Sequence, residues 1–398
     1  MPWKETNVTD LRFEFVVRAL QESTSFSSLC KEYDISPKTG YKWKERFMAE
    51  GLAGLSDQSR RPKTSPKELS GEAVCRIIAL KQAHPTWGPR KLRHLWMLRF
   101  SGPVVPSESS FKRVLEKAGM VRKRKRRPAN HSGQLKSEID AKQPNDIWTI
   151  DFKGWWYTLE KEVCEPLTVR DLFSRYILCA SPLIDGRSDT VRQEFERLFN
   201  QFGLPKVIRS DNGVPFVAPT APLGLSRLSA WWVALGIDLD RIDPGKPYQN
   251  GAHERMHLDL AMEVERTVTG NLKDQIAALR TWRHTYNHER PHEGIGMRCP
   301  VQLYQKSERR FEGTPDQLDY PNGFLNRKVQ QRGTISVESG WIPITTALAG
   351  WNVGLKPIDQ RKYAVYFGRL NLGIIDMETR AFHHTLKQTK KKQGRRKG

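Results

Sequence analysis

Cysteine is scarce in this chain, and long apolar runs are missing. The cysteines are scattered and include no C-x-x-C pair; they are Cys30, Cys75, Cys164, Cys179 and Cys299. This spacing excludes a disulfide framework and a thiolate zinc knuckle, and it fits a reducing compartment. No run approaches the roughly 20 apolar residues of a membrane span, and residues 1–6 contain no apolar signal core. We therefore expect a cytoplasmic protein with no membrane partner.

Acidic residues are also much fewer than basic residues. The chain has 66 Lys and Arg against 44 Asp and Glu, a net charge of +22. The excess is uneven, because the stretch from Pro144 to Arg310 contains 22 basic and 22 acidic residues. A neutral block between basic flanks predicts a folded core with polyanion-binding attachments, and the length of 398 residues favours two to four domains.

Residues 9–50 have the pattern of three short helices. The third begins with Ser36, a good N-cap, followed by Pro37 at the first helical position. The short turn before it is typical of a helix-turn-helix domain, which we assign to residues 1–56. Trp43 and Phe47 would then pack inward. The side chains predicted to face DNA are Lys38, Thr39, Tyr41, Lys42 and Lys44. The alternative is a basic three-helix bundle with a solvated face.

A second, weaker helix-turn-helix pattern occupies residues 66–120. The polar linker before it carries Arg60 and Arg61, which we predict to contact DNA. Helices are predicted at 71–83, 88–99 and 108–118.

A basic linker, residues 121–143, follows this second domain. It contains six successive positive charges: Arg122, Lys123, Arg124, Lys125, Arg126 and Arg127. Such a run cannot bury anything, so we expect it to be disordered when free and to follow a phosphate backbone when bound. A merely solvated linker is the alternative.

From Pro144 the pattern changes to strands, and three acidic residues come from separate elements. Asp151 lies near the end of the first strand, Asp211 follows a short buried strand, and Glu254 begins a helix. Further strands at 163–168 and 176–181 and a helix at 188–202 predict a mixed α/β layer.

Three carboxylates on a rigid frame suit phosphodiester chemistry. Two divalent ions about 4 Å apart neutralise the charge on phosphorus and activate a hydroxyl, and Mg²⁺ needs only one or two carboxylates per ion. Each acid alone also has a structural explanation: Asp151 as a solvent-side strand residue, Asp211 as a turn former and Glu254 as a first-turn residue favoured by the helix dipole.

Three motifs together resemble the acidic motifs of the DDE transposase and retroviral integrase superfamily. They are Trp148-Thr149-Ile150-Asp151-Phe152-Lys153-Gly154, Ser210-Asp211-Asn212-Gly213 and Gln249-Asn250-Gly251-Ala252-His253-Glu254-Arg255. Tyr286-Asn287 and Arg290-Pro291-His292 resemble the end of the integrase core in bacterial insertion-sequence transposases.

The resemblance implies a ribonuclease H-like core over residues 144–310. It further implies two Mg²⁺ or Mn²⁺ ions per active site, with Asp151, Asp211 and Glu254 as catalytic and metal-binding residues. Asp151 and Asp211 would hold one ion, and Asp151 and Glu254 the other. The implied activity is transfer of a 3′-hydroxyl end into target DNA.

Two features depart from this family pattern. The 42 residues between Asp211 and Glu254 exceed the usual spacing, and we place the insertion at 218–228. Ala261 stands where a basic residue is frequent, so Arg255 or His257 would have to contact DNA instead.

The C-terminal part has the glycine-rich short-strand pattern of a small β-barrel, assigned to residues 325–380. Strands are predicted near 333–337, 363–367 and 370–376. The last residues, 381–398, form a basic tail that we expect to be disordered.

The favoured interpretation is a DNA transposase that binds the terminal inverted repeats of an insertion sequence and joins them to target DNA. We expect a homodimer or larger assembly on DNA at the bacterial nucleoid, and no small-molecule substrate. Three alternatives remain: a DNA-binding regulator with an inactive core, a ribonuclease acting on hybrids, and a zinc metalloprotease. The last arises because His253-Glu254-Arg255-Met256-His257 also matches H-E-x-x-H.

Overall fold

The computed structural model describes residues 7–58, 68–100, 105–121, 140–243, 247–267, 269–338 and 340–384. Arg60, Arg61, the run from Arg122 to Arg127 and residues 385–398 of the predicted C-terminal tail lie outside the described residues, so their predicted DNA contacts and disorder stay predictions. The first four residues of that tail, 381–384, were wrongly predicted to be disordered, because they form a strand that pairs with Leu370–Asp376. The chain divides into two compact units, Met1–Ser70 and Gly71–Gly398. Among the described residues, no helix is long and apolar enough to cross a membrane.

The first unit consists of three helices, as predicted. They are α1 (Val8–Leu20), α2 (Phe26–Glu32) and α3 (Pro37–Glu50). The Ser36 hydroxyl accepts a hydrogen bond from the Thr39 amide at 3.2 Å, which confirms the predicted N-cap. Helix α3 crosses the others closely at Gly40, where a Cβ atom would lie 2.8 Å from Cys30 Sγ. The centre of the bundle contains Phe15, Val16, Leu29, Trp43 and Leu55.

The second unit begins with another helical trio. Its members are α4 (Gly71–Ala83), α5 (Pro89–Arg99) and α6 (Glu108–Lys117). Ser107 caps α6 by accepting the Ser110 amide at 3.2 Å. Ile77, Leu92 and Phe111 are fully buried between the helices.

A mixed sheet follows, with strand order β5-β4-β1-β6-β7. The strands are β1 (Ile147–Phe152), β4 (Pro166–Asp171), β5 (Ile177–Pro182), β6 (Val207–Ser210) and β7 (Asp238–Arg241), and a small hairpin pairs β2 (Trp156–Tyr157) with β3 (Val163–Cys164). Strands β1, β4 and β5 form an antiparallel meander, while β6 and β7 run parallel to β1. This is the ribonuclease H-like arrangement that the resemblance implies. The predicted strand 163–168 is two strands, because Glu165 separates β3 from β4.

Helices cover both faces of this sheet. On one face lie α7 (Ser188–Phe202) and α8 (Arg227–Ala234), whose Phe195 and Trp231 share a cluster with Trp148. On the other face lie α9 (Gly251–Leu260), which continues into a π-helical turn (Ala261–Glu265), and α10 (Leu272–His288). Met256 and Leu279 from these helices pack against Ile177.

The C-terminal part is an open antiparallel sheet with order β14-β13-β12-β11-β8, and the predicted barrel is not confirmed. Its strands are β8 (Leu325–Lys328), β11 (Asn352–Pro357), β12 (Lys362–Phe367), β13 (Leu370–Asp376) and β14 (Ala381–His384). A separate hairpin, β9 (Thr334–Val337) and β10 (Gly340–Pro343), lies beside β8 and β14. Because β9 and β10 pair with each other, no backbone ladder closes the sheet within the described ranges.

The predicted insertion at 218–228 is where this C-terminal sheet meets the core. Leu225, together with Ala230 and Val233 of α8, shares a buried cluster with Val353 and Phe367 of the sheet. The Arg241 guanidinium donates to the carbonyl oxygens of Leu223 and, at 3.0 Å, Gly224. The residues of the predicted insertion therefore contribute to the surface against which the C-terminal domain packs.

Candidate active site

Asp151 occupies the central strand of the mixed sheet near its carboxyl end. Strand β1 pairs there with β4, placing Asp151 opposite Thr168. The side chain keeps 26% of its exposure. Burial and, after it, the negative charges of Asp211 and Glu254 together raise the Asp151 pKa to about 7. The three acids are therefore close enough to interact through space.

Asp211 is fixed by the turn after β6. Its Oδ1 accepts the Gly213 amide at 3.0 Å, so it forms the turn that its sequence neighbours predict. The Asn212 side-chain amide donates to the Ile242 carbonyl at 2.7 Å, which ties this turn to the end of β7. The parallel pairing of β6 with β1 then brings Asp211 to the same sheet edge as Asp151.

Glu254 lies in the first turn of α9 and is exposed. Two buried contacts hold that turn against the sheet. Arg170 of β4 is fully buried and donates to the Ala252 carbonyl at 2.6 Å. His253 is also fully buried, with Nδ1 at 2.8 Å from the Thr149 hydroxyl and Nε2 at 2.7 Å from the Thr168 hydroxyl. The position of Glu254 is therefore set by its neighbours.

The zinc-protease alternative does not fit this geometry. Both ring nitrogens of His253 are engaged by hydroxyl groups, so neither is available to a metal shared with His257. Burial lowers the pKa of His253 well below its ordinary value. His253, the first histidine of the H-E-x-x-H pattern, thus attaches α9 to the sheet.

His257 lies beside Asp151 and is only 12% exposed. Its Nδ1 is 3.8 Å from Asp151 Oδ2, and its Nε2 is 2.8 Å from Thr168 Oγ1. Burial lowers the His257 pKa to about 4. Among the described residues, one group of three side chains offers metal-ligand atoms within 4.8 Å of one another, namely Asp151, His253 and His257.

Arg255 is the more accessible of the two residues predicted to replace the basic side chain at Ala261. It is 53% exposed and lies 3.4 Å from Asp259 Oδ1, one turn further along α9. His257 faces the sheet instead, because its ring bonds Thr168.

A second acidic cluster lies at the other end of the same helix. Arg290 is 2% exposed and binds Asp259 Oδ2 at 2.8 Å and Glu263 Oε1 at 2.6 Å. The Trp282 indole donates to Glu263 Oε2 at 2.9 Å, and the Thr86 hydroxyl also donates to Glu263. In this cluster the positive charge that balances the acids comes from Arg290 of the chain itself.

This cluster fastens the second helical trio to the core. The Arg290 guanidinium lies 5.9 Å from the centre of the buried Trp87 ring. Outside it, Arg99 pairs with Glu289 at 3.0 Å and Arg90 with Glu293 at 3.3 Å. The turn between α4 and α5 is therefore packed against α9 and α10.

The predicted DNA-contact face of α3 is accessible. Lys38, Tyr41 and Lys42 are exposed, while Thr39 and Lys44 are half-buried. Trp43 is buried, as predicted, with the Arg12 guanidinium 3.9 Å from its ring centre.

Sequence reasoning missed Arg170 and Arg209. Both are buried in strands, and Arg209 pairs with Asp240 at 2.5 Å. The available signal was an arginine directly after a valine or isoleucine in a short strand, because a buried arginine needs a partner.

Four family models match this chain. Two describe an integrase core domain and cover residues 141–247 and 235–300. The others describe a helix-turn-helix domain at 14–63 and a homeodomain-like domain at 39–115. The chain is also 28% identical over 258 residues to the insertion element IS476 uncharacterized 39.2 kDa protein of Xanthomonas euvesicatoria, covering 63% of this chain and 70% of that protein.

These matches support membership of the superfamily of insertion-sequence transposases and integrases. A second relative in this group is the insertion element IS407 uncharacterized 31.7 kDa protein of Burkholderia multivorans, 26% identical over 259 residues, or 64% of this chain and 88% of that protein. Membership indicates a nuclease-type enzyme whose integrase core follows DNA-binding helix-turn-helix domains.

Solved structures in this superfamily are more distant. The HTLV-2 integrase catalytic core domain in complex with magnesium is 17% identical, with a TM-score of 0.33 over 42% of this chain and 100% of that chain. The BIV integrase core is 22% identical, with a TM-score of 0.31 over 40% of this chain and 93% of that one. The family models and the insertion-element proteins carry the assignment.

The donor set at the sheet edge fits a hard divalent cation. Carboxylate oxygens are what Mg²⁺ and Mn²⁺ prefer. Burial and the repulsion from Asp211 and Glu254 raise the Asp151 pKa, as expected of a site whose counter-charge comes from outside the chain. Lys153 opposes it only weakly and is paired with Glu265 at 2.9 Å.

Proposed function

We propose that this protein is a DNA transposase that binds the terminal inverted repeats of its element and performs metal-dependent strand cleavage and strand transfer. One observation carries the proposal: Asp151 lies near the carboxyl end of the central strand, the parallel strand β6 brings Asp211 to the same sheet edge, and the helix turn that bears Glu254 is held against that sheet. Asp211 also forms its turn, but bringing acids from three separate elements together is unfavourable unless a cation binds between them.

Each acid has a role in this proposal. Asp151 and Asp211 would hold one divalent ion, and Asp151 and Glu254 the other. Such a pair of Mg²⁺ or Mn²⁺ ions neutralises charge on the phosphate and makes a hydroxyl nucleophilic. The chain contributes rigidity, because Arg170 and His253 fix the turn that bears Glu254 while the Asp211 turn is bonded to β7. Preorganised positioning of this kind lowers the barrier.

DNA recognition is assigned to the first unit and the basic segments. The exposed Lys38, Tyr41 and Lys42 on α3 would enter a groove of the terminal repeat. Arg255, exposed beside Glu254, would contact phosphate near the reacting bond. Because two DNA ends are joined in one event, the active species would be a dimer or larger assembly.

The test replaces each acid by its amide. We expect Asp151→Asn, Asp211→Asn and Glu254→Gln each to abolish strand transfer with Mg²⁺ while leaving binding to the element's terminal DNA nearly unchanged. The matched controls are Asp316→Asn and Glu312→Gln, two exposed acids outside the site, which should transfer strands like the unaltered protein. Retained transfer in any of the first three would remove that residue from the site. If the unaltered protein binds its ends but neither nicks nor joins them, it is a regulator.

A further inference from the structure

The proposed metal site has a neighbour to which the acidic motifs assign no role. His257 is one turn after Glu254, and its ring lies between the Thr168 hydroxyl and the Asp151 carboxylate. The ring contacts both groups through different nitrogens, so the positions of its hydrogens determine what it can do.

The hydrogen bonds of Thr168 determine where the hydrogens of the His257 ring lie. The Thr168 hydroxyl is 2.8 Å from the Asp151 carbonyl oxygen, 2.7 Å from His253 Nε2 and 2.8 Å from His257 Nε2. A hydroxyl has one hydrogen to donate and two lone pairs to accept with. Since a carbonyl oxygen can only accept, the hydrogen of Thr168 goes to Asp151. Both histidines must therefore carry hydrogen on Nε2 and donate it to Thr168.

The other nitrogen of each ring then has a lone pair to satisfy. In His253 this nitrogen lies 2.8 Å from the Thr149 hydroxyl, and because the Arg170 carbonyl is farther from that hydroxyl, at 3.4 Å, the hydroxyl hydrogen goes to His253. In His257 the corresponding Nδ1 faces Asp151 Oδ2 at 3.8 Å, too far for a hydrogen bond. Two ligands that each lie about 2.1 Å from one ion are separated by roughly 3 to 4 Å, so this spacing matches a shared cation.

We propose that His257 Nδ1 is a metal ligand together with the Asp151 carboxylate, which makes one of the two ion sites a mixed nitrogen and oxygen site. This inference rests on the proposed function, because it takes Asp151 as a metal ligand. The hydrogen bond from His257 Nε2 to Thr168 has the form usual for ligating histidines, whose second nitrogen is oriented by an oxygen acceptor. Imidazole also favours Mn²⁺ and other transition ions over Mg²⁺.

The experiment uses the full chain with Mn²⁺ as the probe, and its readout is independent of activity. Pulsed electron paramagnetic resonance detects an imidazole nitrogen bonded to Mn²⁺, and isotopically labelled histidine identifies the signal. We expect the coupling in the unaltered protein and its loss in His257→Ala and His257→Gln. Mn²⁺ affinity should fall about tenfold or more in both variants, with a smaller change for Mg²⁺. His284→Ala, an exposed histidine of α10, is the control and should retain both properties.

Two results would overturn the assignment. One is bound Mn²⁺ without nitrogen coupling in the unaltered protein, and the other is unchanged coupling in both His257 variants. The glutamine variant guards against misfolding, because its amide can still bond Thr168, and thermal unfolding of each variant checks this. Asp151→Asn separates the two proposals: if it leaves Mn²⁺ binding unchanged, the proposed function fails; if only the His257 variants leave it unchanged, the ligand assignment fails.

Discussion

The two ends of α9 carry acidic clusters that differ in one respect. At the amino end Glu254 joins Asp151 and Asp211, and burial together with the two neighbouring charges raises the pKa of Asp151. Beyond the carboxyl end Asp259 and Glu263 both bind the buried Arg290 at 2.8 and 2.6 Å. Within the part of the chain that the structure describes, Arg290 balances the second cluster, whereas the first has Lys153 as a weak counter-charge that is itself paired with Glu265. The difference separates a site built to receive a cation from one built to fasten the second helical trio.

Removing the internal cation should make the second cluster resemble the first, and it is the largest effect we predict. Arg290→Ala leaves Asp259 and Glu263 without their buried partner, and such a change costs about 3 to 5 kcal/mol. Denaturant unfolding of the full chain measures it. Arg298→Ala, an exposed arginine in the same loop, should change the free energy of unfolding by less than about 0.5 kcal/mol. Equal effects of both substitutions would contradict the fastening role.

The cluster of Asp151, Asp211 and Glu254 should make the free energy of unfolding depend on pH. Because the folded pKa of Asp151 is raised to about 7, the folded protein keeps a proton that the unfolded chain loses near pH 4. The free energy of unfolding of metal-free protein should therefore fall as pH rises from about 4 to 7. Asp151→Asn removes this contribution, so we expect it to be more stable than the unaltered protein at pH 7.5, by about 2 kcal/mol.

Thermal unfolding in a chelator, followed across pH, tests this expectation. Asp316→Asn, an exposed acid, should reproduce the pH dependence of the unaltered protein. If Asp151→Asn shows the same dependence as that control, Asp151 does not carry the unneutralised charge.

Local signals in the sequence were sufficient for much of the fold. Helix α7 spans Ser188–Phe202 as predicted, since its apolar stripe is regular and Gly203 ends it at φ 79°. Helix α3 begins at Pro37 because Ser36 and Pro37 form a cap and a first turn by themselves. The three acids could be singled out because turns and helix starts leave marks in the neighbouring residues, and their catalytic role stays a prediction.

Long-range pairing was not predictable in the same way. The barrel was expected from glycine spacing, but closure depends on which strands meet, and hairpin β9–β10 pairs with itself. The packing surface that includes Leu225 can be recognised only once the C-terminal sheet is in place. The contrast between the clusters of α9 also depends on tertiary structure, because Arg290 is 27 residues from Glu263 in sequence and the two side chains meet only in the fold.

The smallest predicted effect concerns the contact between the second cluster and the second helical trio. Thr86→Val removes the hydroxyl that donates to Glu263 and keeps the side-chain shape, so it should cost about 1 kcal/mol. Because that bond lies in the turn before α5, the loss should appear as faster proteolysis between α4 and α5, with strand transfer little changed. Thr281→Val, whose hydroxyl bonds only the Ala277 carbonyl on exposed α10 surface, is the matched control. Unchanged proteolysis in Thr86→Val would mean that Trp87 and the outer ion pairs hold the trio without help from Glu263.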